Sequence, residues 1–215
     1  MPSLSTHQTR FAALVRRAAA AAILCGLFGL PAPAQPQPNP RDGTEQPAKV
    51  IEATGIKPGM VVGEIGAGSG YFTFWLSQAV GHRGKVYAND ILPDKLATLD
   101  RKAAHQGITN IETVVGTVDD PRFPRGALDM VFMINSFHEF EKPQELLANL
   151  LPSLKPGATV VIMDRDPSRS GGSSRHYMTR KRVEETVNRS VFEIVRVDEF
   201  LPLHNLYILK ARTAR

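Results

Sequence analysis

The sequence has a single cysteine, Cys25, among 215 residues. Cys25 lies in a segment that we expect to be removed, so the mature chain is predicted to have no disulfide, no thiolate metal site and no cysteine nucleophile. The sequence also lacks an apolar run of about 20 residues, which a membrane-spanning helix requires. No segment is therefore predicted to cross a bilayer.

The N-terminus has the three regions of a secretory signal peptide. Arg10, Arg16 and Arg17 precede an apolar run of 13 residues, 18–30, and the small residues 32–34 follow it. This order predicts a signal peptide over residues 1–34, a mature N-terminus at Gln35 and a periplasmic or secreted protein. A twin-arginine signal at residues 16–17 and an uncleaved N-terminal anchor remain alternatives.

A proline-rich stretch follows, with six prolines between Pro31 and Pro47. It lacks apolar periodicity and predicts an extended linker over residues 35–47 before a domain at 48–215. Without the three arginines of the signal segment, 23 basic residues stand against 21 acidic ones. This small excess does not favour nucleic acid as a partner.

Apolar runs with strand character alternate with segments of helical spacing through the rest of the chain. The alternation predicts an α/β fold with a doubly wound, Rossmann-like sheet of seven strands. The last two runs have no helical segment between them, so we expect a hairpin that leaves the last strand antiparallel. The predicted strands are 60–65, 85–89, 110–115, 128–134, 158–163, 192–197 and 205–211.

A glycine-rich turn follows the first strand, in the stretch GEIGAGSGYF at residues 63–72. A dinucleotide site needs G-x-G-x-x-G, but the third position is Tyr71 from one register and Thr73 from the other. No Gly-Lys-Ser/Thr follows, which excludes a P-loop. An ionised Glu64 beside the turn would repel a pyrophosphate by about 2–3 kcal/mol, so the turn favours a ligand that carries positive charge.

Asp90 ends the second predicted strand, where a carboxylate can accept hydrogen bonds from both hydroxyls of a ribose. This position suits NAD and S-adenosylmethionine equally. Glu64 and the missing third glycine distinguish between the two cofactors.

Four stretches together resemble the successive motifs of class I S-adenosylmethionine-dependent methyltransferases. They are VVGEIGAGSGYF, GKVYANDI, LDMVFMINSFHEF and LKPGATVVIMD. The similarity is closest to small-molecule methyltransferases and to predicted, uncharacterised bacterial methyltransferases. It implies S-adenosyl-L-methionine as cofactor and methyl transfer as activity, and it does not identify the methyl acceptor.

The resemblance also implies residue roles. Ile91 is expected to pack on adenine, and Asp119 or Asp120 to bind the adenine amino group, because Thr117 replaces the family's acid after Gly116. The expected cofactor-binding residues are Glu64, Gly66, Gly68, Gly70, Asp90, Ile91, Asp119 and Asn135.

His138 and Glu139 follow the fourth strand, where the acceptor should meet the methyl group. One interpretation is that His138 is a general base oriented by Glu139. The other is that His138 caps a helix or hydrogen-bonds the loop backbone. The stretch Asn135-Ser136-Phe137-His138 lacks the two prolines of the Asn/Asp-Pro-Pro-aromatic motif of amino-group methyltransferases. This absence disfavours an adenine, cytosine or glutamine amide as the acceptor.

Asp164 and Asp166 follow the fifth strand, and hydrogen bonds within the loop are expected of them, so that no metal site is predicted. The segment from Arg165 to Arg182 has seven basic side chains, including the titratable His176, and is broken by glycines and serines. It could cover the acceptor, recognise an acidic substrate or touch an anionic membrane surface. A solvated basic loop is the alternative, with His176 and Tyr177 as reserve bases.

The sequence therefore predicts an S-adenosylmethionine-dependent methyltransferase with a small-molecule acceptor. Two alternatives remain. One is a non-catalytic protein that binds S-adenosylmethionine or a nucleoside. The other is an isoaspartyl protein repair methyltransferase, because the stretch Gly-Ser-Gly-Tyr is similar to that family.

Overall fold

The computed structural model describes residues 39–170 and 176–213. The predicted signal peptide and the Gly171–Ser174 break in the basic segment lie outside these residues. Among the described residues, no helix combines the length and apolar character needed to cross a bilayer.

Seven strands form one sheet in the order β3-β2-β1-β4-β5-β7-β6. All neighbours are parallel except β7, which is antiparallel to both β5 and β6. This confirms the predicted fold and the closing hairpin. The strands are β1 Val61–Ile65, β2 Lys85–Asp90, β3 Ile111–Val115, β4 Leu128–Ile134, β5 Leu154–Arg165, β6 Phe192–Asp198 and β7 His204–Ala211.

Seven helices accompany the sheet in the described part of the chain. Pro93 and Pro143 stand in the first turns of α4 and α5, where a missing N–H costs nothing. The helices are α1 Asp42–Glu45, α2 Pro47–Thr54, α3 Tyr71–Val80, α4 Pro93–His105, α5 Pro143–Leu150, α6 Pro167–Ser170 and α7 Arg180–Asn188.

The core lies on both faces of the sheet. Leu147 and Leu150 of α5 pack with Val160 of β5 on one face. Phe72 of α3 packs with Val62 and Phe132 on the other face. Because β1 and β4 are neighbours and the chain winds away from them in both directions, their carboxyl ends flank a crevice where doubly wound sheets bind ligands.

The α1 segment, residues 39–46, is folded, and the prediction of an extended linker is wrong for residues 42–47. Glu45 is buried, and its carboxylate accepts a hydrogen bond of 2.6 Å from Nε of Arg41. Pro47 opens α2 because its fixed φ suits a first helical turn. Pro47 thus starts a helix instead of extending the chain.

Candidate functional site

The glycine turn after β1 is pressed between β2 and β4. The amides of Gly66 and Ala67 both donate to the carbonyl of Asn89 at 2.9 Å. Gly66 has a φ of 78°, and a Cβ there would lie 2.5 Å from the Cβ of Ser136. A side chain is therefore excluded at this position by both conformation and space.

Asp90 connects the turn to the end of β2. Its Oδ2 accepts from the amide of Gly68 at 2.8 Å, and its Oδ1 accepts from the amide of Leu92 at 2.9 Å. A carboxylate has about four lone-pair positions, so each oxygen keeps one for a ligand hydroxyl. Asp90 can therefore hold the turn and a ribose together.

A cavity of about 310 Å³ opens beside the turn at the switch point of the sheet. Six residues predicted for the site lie in its wall: Gly66, Gly68, Asp90, Ile91, Asn135 and Glu139. Sequence reasoning missed other lining residues: Asn89, Leu92, Lys95, Thr117, Val118, Ser136 and Phe140. Their only sequence signal is that they follow or flank the carboxyl ends of β2, β3 and β4.

Glu64 lies behind the turn, and it is not among the residues that line the cavity. It is 2% exposed and accepts a hydrogen bond of 2.5 Å from the hydroxyl of Thr73. Burial raises the pKa of Glu64 to about 8, against the opposing effect of the Thr73 hydrogen bond. The side chain is thus mostly protonated at pH 7. A protonated Glu64 has no charge, so the predicted repulsion of a pyrophosphate is absent. The missing third glycine remains as the argument against a dinucleotide.

The loop after β3 brings Thr117 and Val118 to the cavity and turns Asp119 to one side. The Asp119 carboxylate accepts from the Thr117 hydroxyl at 2.8 Å and lies 3.4 Å from Nζ of Lys142. Gly116 is required beneath this loop, because a Cβ would lie 2.4 Å from Nδ2 of Asn89. Thr117 and Val118 thus line the cavity, whereas Asp119, predicted to bind the adenine amino group, is not among the lining residues.

Asn135 directly follows β4 and has a φ of 50°, which is uncommon for a residue other than glycine. Its amide donates to the carbonyl of Met163 at 2.8 Å. Its side chain lies near the carboxylate of Glu45 in α1, where it opposes the rise in pKa that burial causes in that carboxyl group. The α1 segment is also held at Tyr71, whose hydroxyl donates to Asp42 at 2.7 Å. Asn135 therefore links the cavity wall to the α1 segment.

His138 lies in the short turn Phe137–Glu139 and is bound to the end of β5. Its Nδ1 is 2.9 Å from Oδ1 of Asp164, and its backbone amide donates to Oδ2 at 3.0 Å. Burial lowers the pKa of His138, but the hydrogen bond and charge of Asp164 outweigh it and leave the pKa above its ordinary value. The group that orients His138 is Asp164, whereas Glu139 is 3.7 Å from Nε2.

The two acids at the end of β5, Asp164 within the strand and Asp166 just after it, hold loops together, as expected of them. Asp164 also accepts from the amide of Arg165 at 2.8 Å. Asp166 accepts from Ser168 and from Nδ2 of Asn205. These bonds fix the carboxyl end of β5 beside the cavity.

Several arginines of the basic segment, residues 165–182, bind other groups of the protein. Arg169 donates to the carbonyls of His204 and Glu199, and Arg180 pairs with Glu184 and Glu199. Arg165 stacks on the ring of Tyr177, with 4.8 Å between Cζ and the ring centroid. These arginines are thus structural as well as basic.

Comparisons with known proteins agree on one family. A family model described as a methyltransferase domain matches residues 62–157. A protein-L-isoaspartate O-methyltransferase from Pyrococcus horikoshii is 28% identical over 115 residues, which cover 54% of this chain and 49% of that protein. A ubiquinone/menaquinone biosynthesis C-methyltransferase from Shewanella piezotolerans is 29% identical over 115 residues, with 53% and 46% covered. The chain spans about half the length of these curated relatives.

The fold has a counterpart among solved structures. The crystal structure of a SAM dependent methyltransferase from Aquifex aeolicus superposes with a TM-score of 0.75 at 26% identity. The match covers 80% of this chain and 93% of that one. With the sheet order and the glycine turn at the switch point, these matches support the class I S-adenosylmethionine-dependent methyltransferase family that the sequence predicted.

Proposed function

We propose that this protein binds S-adenosyl-L-methionine and transfers its methyl group to a small-molecule acceptor. The observation that carries the proposal is the cavity at the switch point, whose wall combines the turn glycines Gly66 and Gly68 with Asp90 and Ile91. This is the set of groups that a nucleoside with an amino-acid end requires: close backbone, a ribose acceptor and an apolar surface for the base.

The chain offers each part of the cofactor a matching group. The open turn at Gly68 suits the amino-acid end, since no atom lies within 4 Å of where a Cβ would be. Asp90 suits the ribose hydroxyls through its remaining lone pairs. Ile91, 49% exposed at the cavity wall, gains burial when the adenine packs on it.

When bound, the cofactor supplies a methyl group already activated by a sulfonium. The protein then has to align the acceptor atom with that methyl group and exclude water. Asn135, Ser136 and Phe140 line the end of the cavity that follows β4. We place the acceptor at this end, with Glu139 at its rim.

The geometry supports His138 as a brace rather than as a direct base. Its side chain is 5% exposed, and Asp164 holds both its ring and its backbone amide. These bonds tie the turn after β4 to the end of β5. A direct base would need its Nε2 within hydrogen-bond reach of the acceptor.

Calorimetry and mass spectrometry test the proposal in sequence. We expect S-adenosyl-L-methionine to bind, and Asp90→Ala to weaken binding by about 2–3 kcal/mol through loss of charge-assisted hydrogen bonds. Binding without transfer of a deuteromethyl group to any component of a cell extract would support the non-catalytic alternative. Absence of binding would reject the proposal.

An isoaspartyl repair activity is a second candidate, because one relative that covers about half of the chain is named for it. Methyl transfer to an isoaspartyl peptide, with none to the matching aspartyl peptide, would establish this candidate. We expect neither peptide to be methylated.

We also propose that the protein works in the periplasm or outside the cell, on the evidence of the predicted signal peptide. Mass spectrometry of protein from its native host should find an N-terminus at or near Gln35 in that fraction. An intact Met1 in the cytosol would reject this location. A protein that works outside the cytosol needs a supply of cofactor there.

A further inference from the structure

Three side chains converge beside the acceptor end of the cavity without a role in the proposed cofactor site. Oε1 of Glu139 lies 3.7 Å from Nε2 of His138 and 3.7 Å from Nδ1 of His176. The three ligand atoms all lie within 4.8 Å of one another. The two imidazole rings meet edge to face, with 5.9 Å between their centroids.

These separations are close to those of ligands around one small cation. With bonds of about 2.0–2.2 Å, two ligands of a tetrahedral zinc ion lie about 3.4 Å apart. Two of the three edges of the cluster exceed that distance by a few tenths of an ångström. Glu139 is 63% exposed and the side chain of His176 is 73% exposed, so both can move that far.

His138 is prepared for this role by Asp164. A histidine that binds a metal through one ring nitrogen usually donates the other ring N–H to a carboxylate, which fixes its tautomer. Nδ1 of His138 lies 2.9 Å from the buried Asp164 carboxylate, a geometry that favours, in the neutral ring, the tautomer whose Nε2 lone pair faces Glu139 and His176. His138 is thus held in place, and the exposed Glu139 and His176 side chains can move toward it.

We propose that His138, Glu139 and His176 bind a divalent transition-metal ion at the rim of the cavity. Two imidazoles and one carboxylate suit Zn²⁺, Co²⁺ or Fe²⁺ better than Mg²⁺ or Ca²⁺, which prefer oxygen ligands. Three protein ligands leave coordination positions open. The ion would thus present a Lewis acid to an oxygen atom of the acceptor, and only this catalytic use depends on the proposed methyl transfer.

Cobalt titration of the tag-free full chain tests the binding without cofactor or acceptor. After removal of metals with a chelator, Co²⁺ should bind with one-to-one stoichiometry and produce visible absorption bands of a nitrogen–oxygen site. Zn²⁺ should displace it and abolish the bands. No bands and no heat of Zn²⁺ binding with folded protein would overturn the proposal.

Matched variants locate the site. His176→Ala and Glu139→Gln each remove an exposed ligand and should weaken Co²⁺ binding more than tenfold, whereas His105→Ala, an exposed histidine at the end of α4, should leave binding unchanged. Asp164→Asn should weaken binding by about 10–100-fold, as the loss of a supporting carboxylate does. Equal affinity in the wild type, His176→Ala and Glu139→Gln would overturn the assignment, and it would do so whether or not the protein transfers methyl groups.

Discussion

At the residue scale, the buried Glu64 makes folding stability depend on pH. The pKa of Glu64 is about 8 in the folded protein and about 4.5 when the side chain is exposed. Between these values the unfolded chain loses its proton while the folded chain keeps it, so stability falls as pH rises from about 4.5 to 8. The loss is on the order of a few kcal/mol.

Glu64→Gln should therefore flatten that part of the pH profile, because glutamine has no proton to lose. We expect denaturant unfolding to show the variant gaining stability over the wild type as pH rises from 5 to 8. Burial lowers the pKa of His204 to about 4, so this histidine destabilises the protein as pH falls. Its contribution is the same in both proteins and cancels in the comparison. Parallel profiles for the two proteins would contradict a protonated Glu64.

Gly68 provides a test of the turn that separates binding from folding. Gly68 has a φ of 55° and Gly107, after α4, has a φ of 66°, and an added Cβ meets nothing within 4 Å at either position. Gly68→Val and Gly107→Val should thus cost similar backbone strain, about 1–2 kcal/mol. Only Gly68→Val should abolish cofactor binding in calorimetry. Normal binding by this variant would show that the turn does not contact the cofactor.

Some residues of the site could be predicted because their chemistry is local. Asp90 follows a strand directly, and the turn glycines are adjacent in sequence. The burial of Glu64 could not be predicted, since strand alternation does not say which face of β1 is more deeply covered by the helices packed on it. Asp164 was missed as the partner of His138 because only the pairing of β4 with β5 brings them together.

At the element scale, α1 is held against the rest of the protein by contacts with Tyr71 and Asn135. Arg41 lies over the ring of Tyr71 at 4.0 Å, and the Tyr71 hydroxyl donates to Asp42 at 2.7 Å. A four-residue helix has little stability of its own, so these contacts hold it.

The strands could be predicted from the sequence more easily than α1. Their apolar runs predicted all seven to within a few residues, because a buried strand is rich in apolar residues.

Tyr71→Phe should loosen α1 without disturbing the sheet. The change removes one hydrogen bond to a carboxylate, worth about 1–2 kcal/mol, and keeps the ring under Arg41. Hydrogen exchange at residues 41–46 should accelerate roughly 5–30-fold. Tyr87→Phe removes a hydroxyl on β2 and should leave exchange in α1 unchanged. Unaltered exchange in Tyr71→Phe would show that Asp42 does not hold the helix.

At the scale of the whole molecule, the structure moves the start of the folded unit. The prolines before residue 48 predict a linker, but Glu45 of α1 is buried and lies near Asn135, a residue of the cavity wall that follows β4. Composition could not reveal this, because long-range contacts and not local propensity fold the segment.

Two truncated chains, residues 35–215 and 47–215, test this boundary. The shorter chain loses both Arg41 and Glu45, so no buried charge is left unpaired, and the Tyr71 hydroxyl and Asn135 amide regain water. The cost should therefore be moderate, about 2–3 kcal/mol, or a fall in melting temperature of roughly 5–10 °C. Cofactor affinity should also fall, because Asn135 loses its anchor. Equal melting temperatures and equal affinities would restore the boundary at residue 48, since α1 would then contribute neither to the fold nor to the cavity.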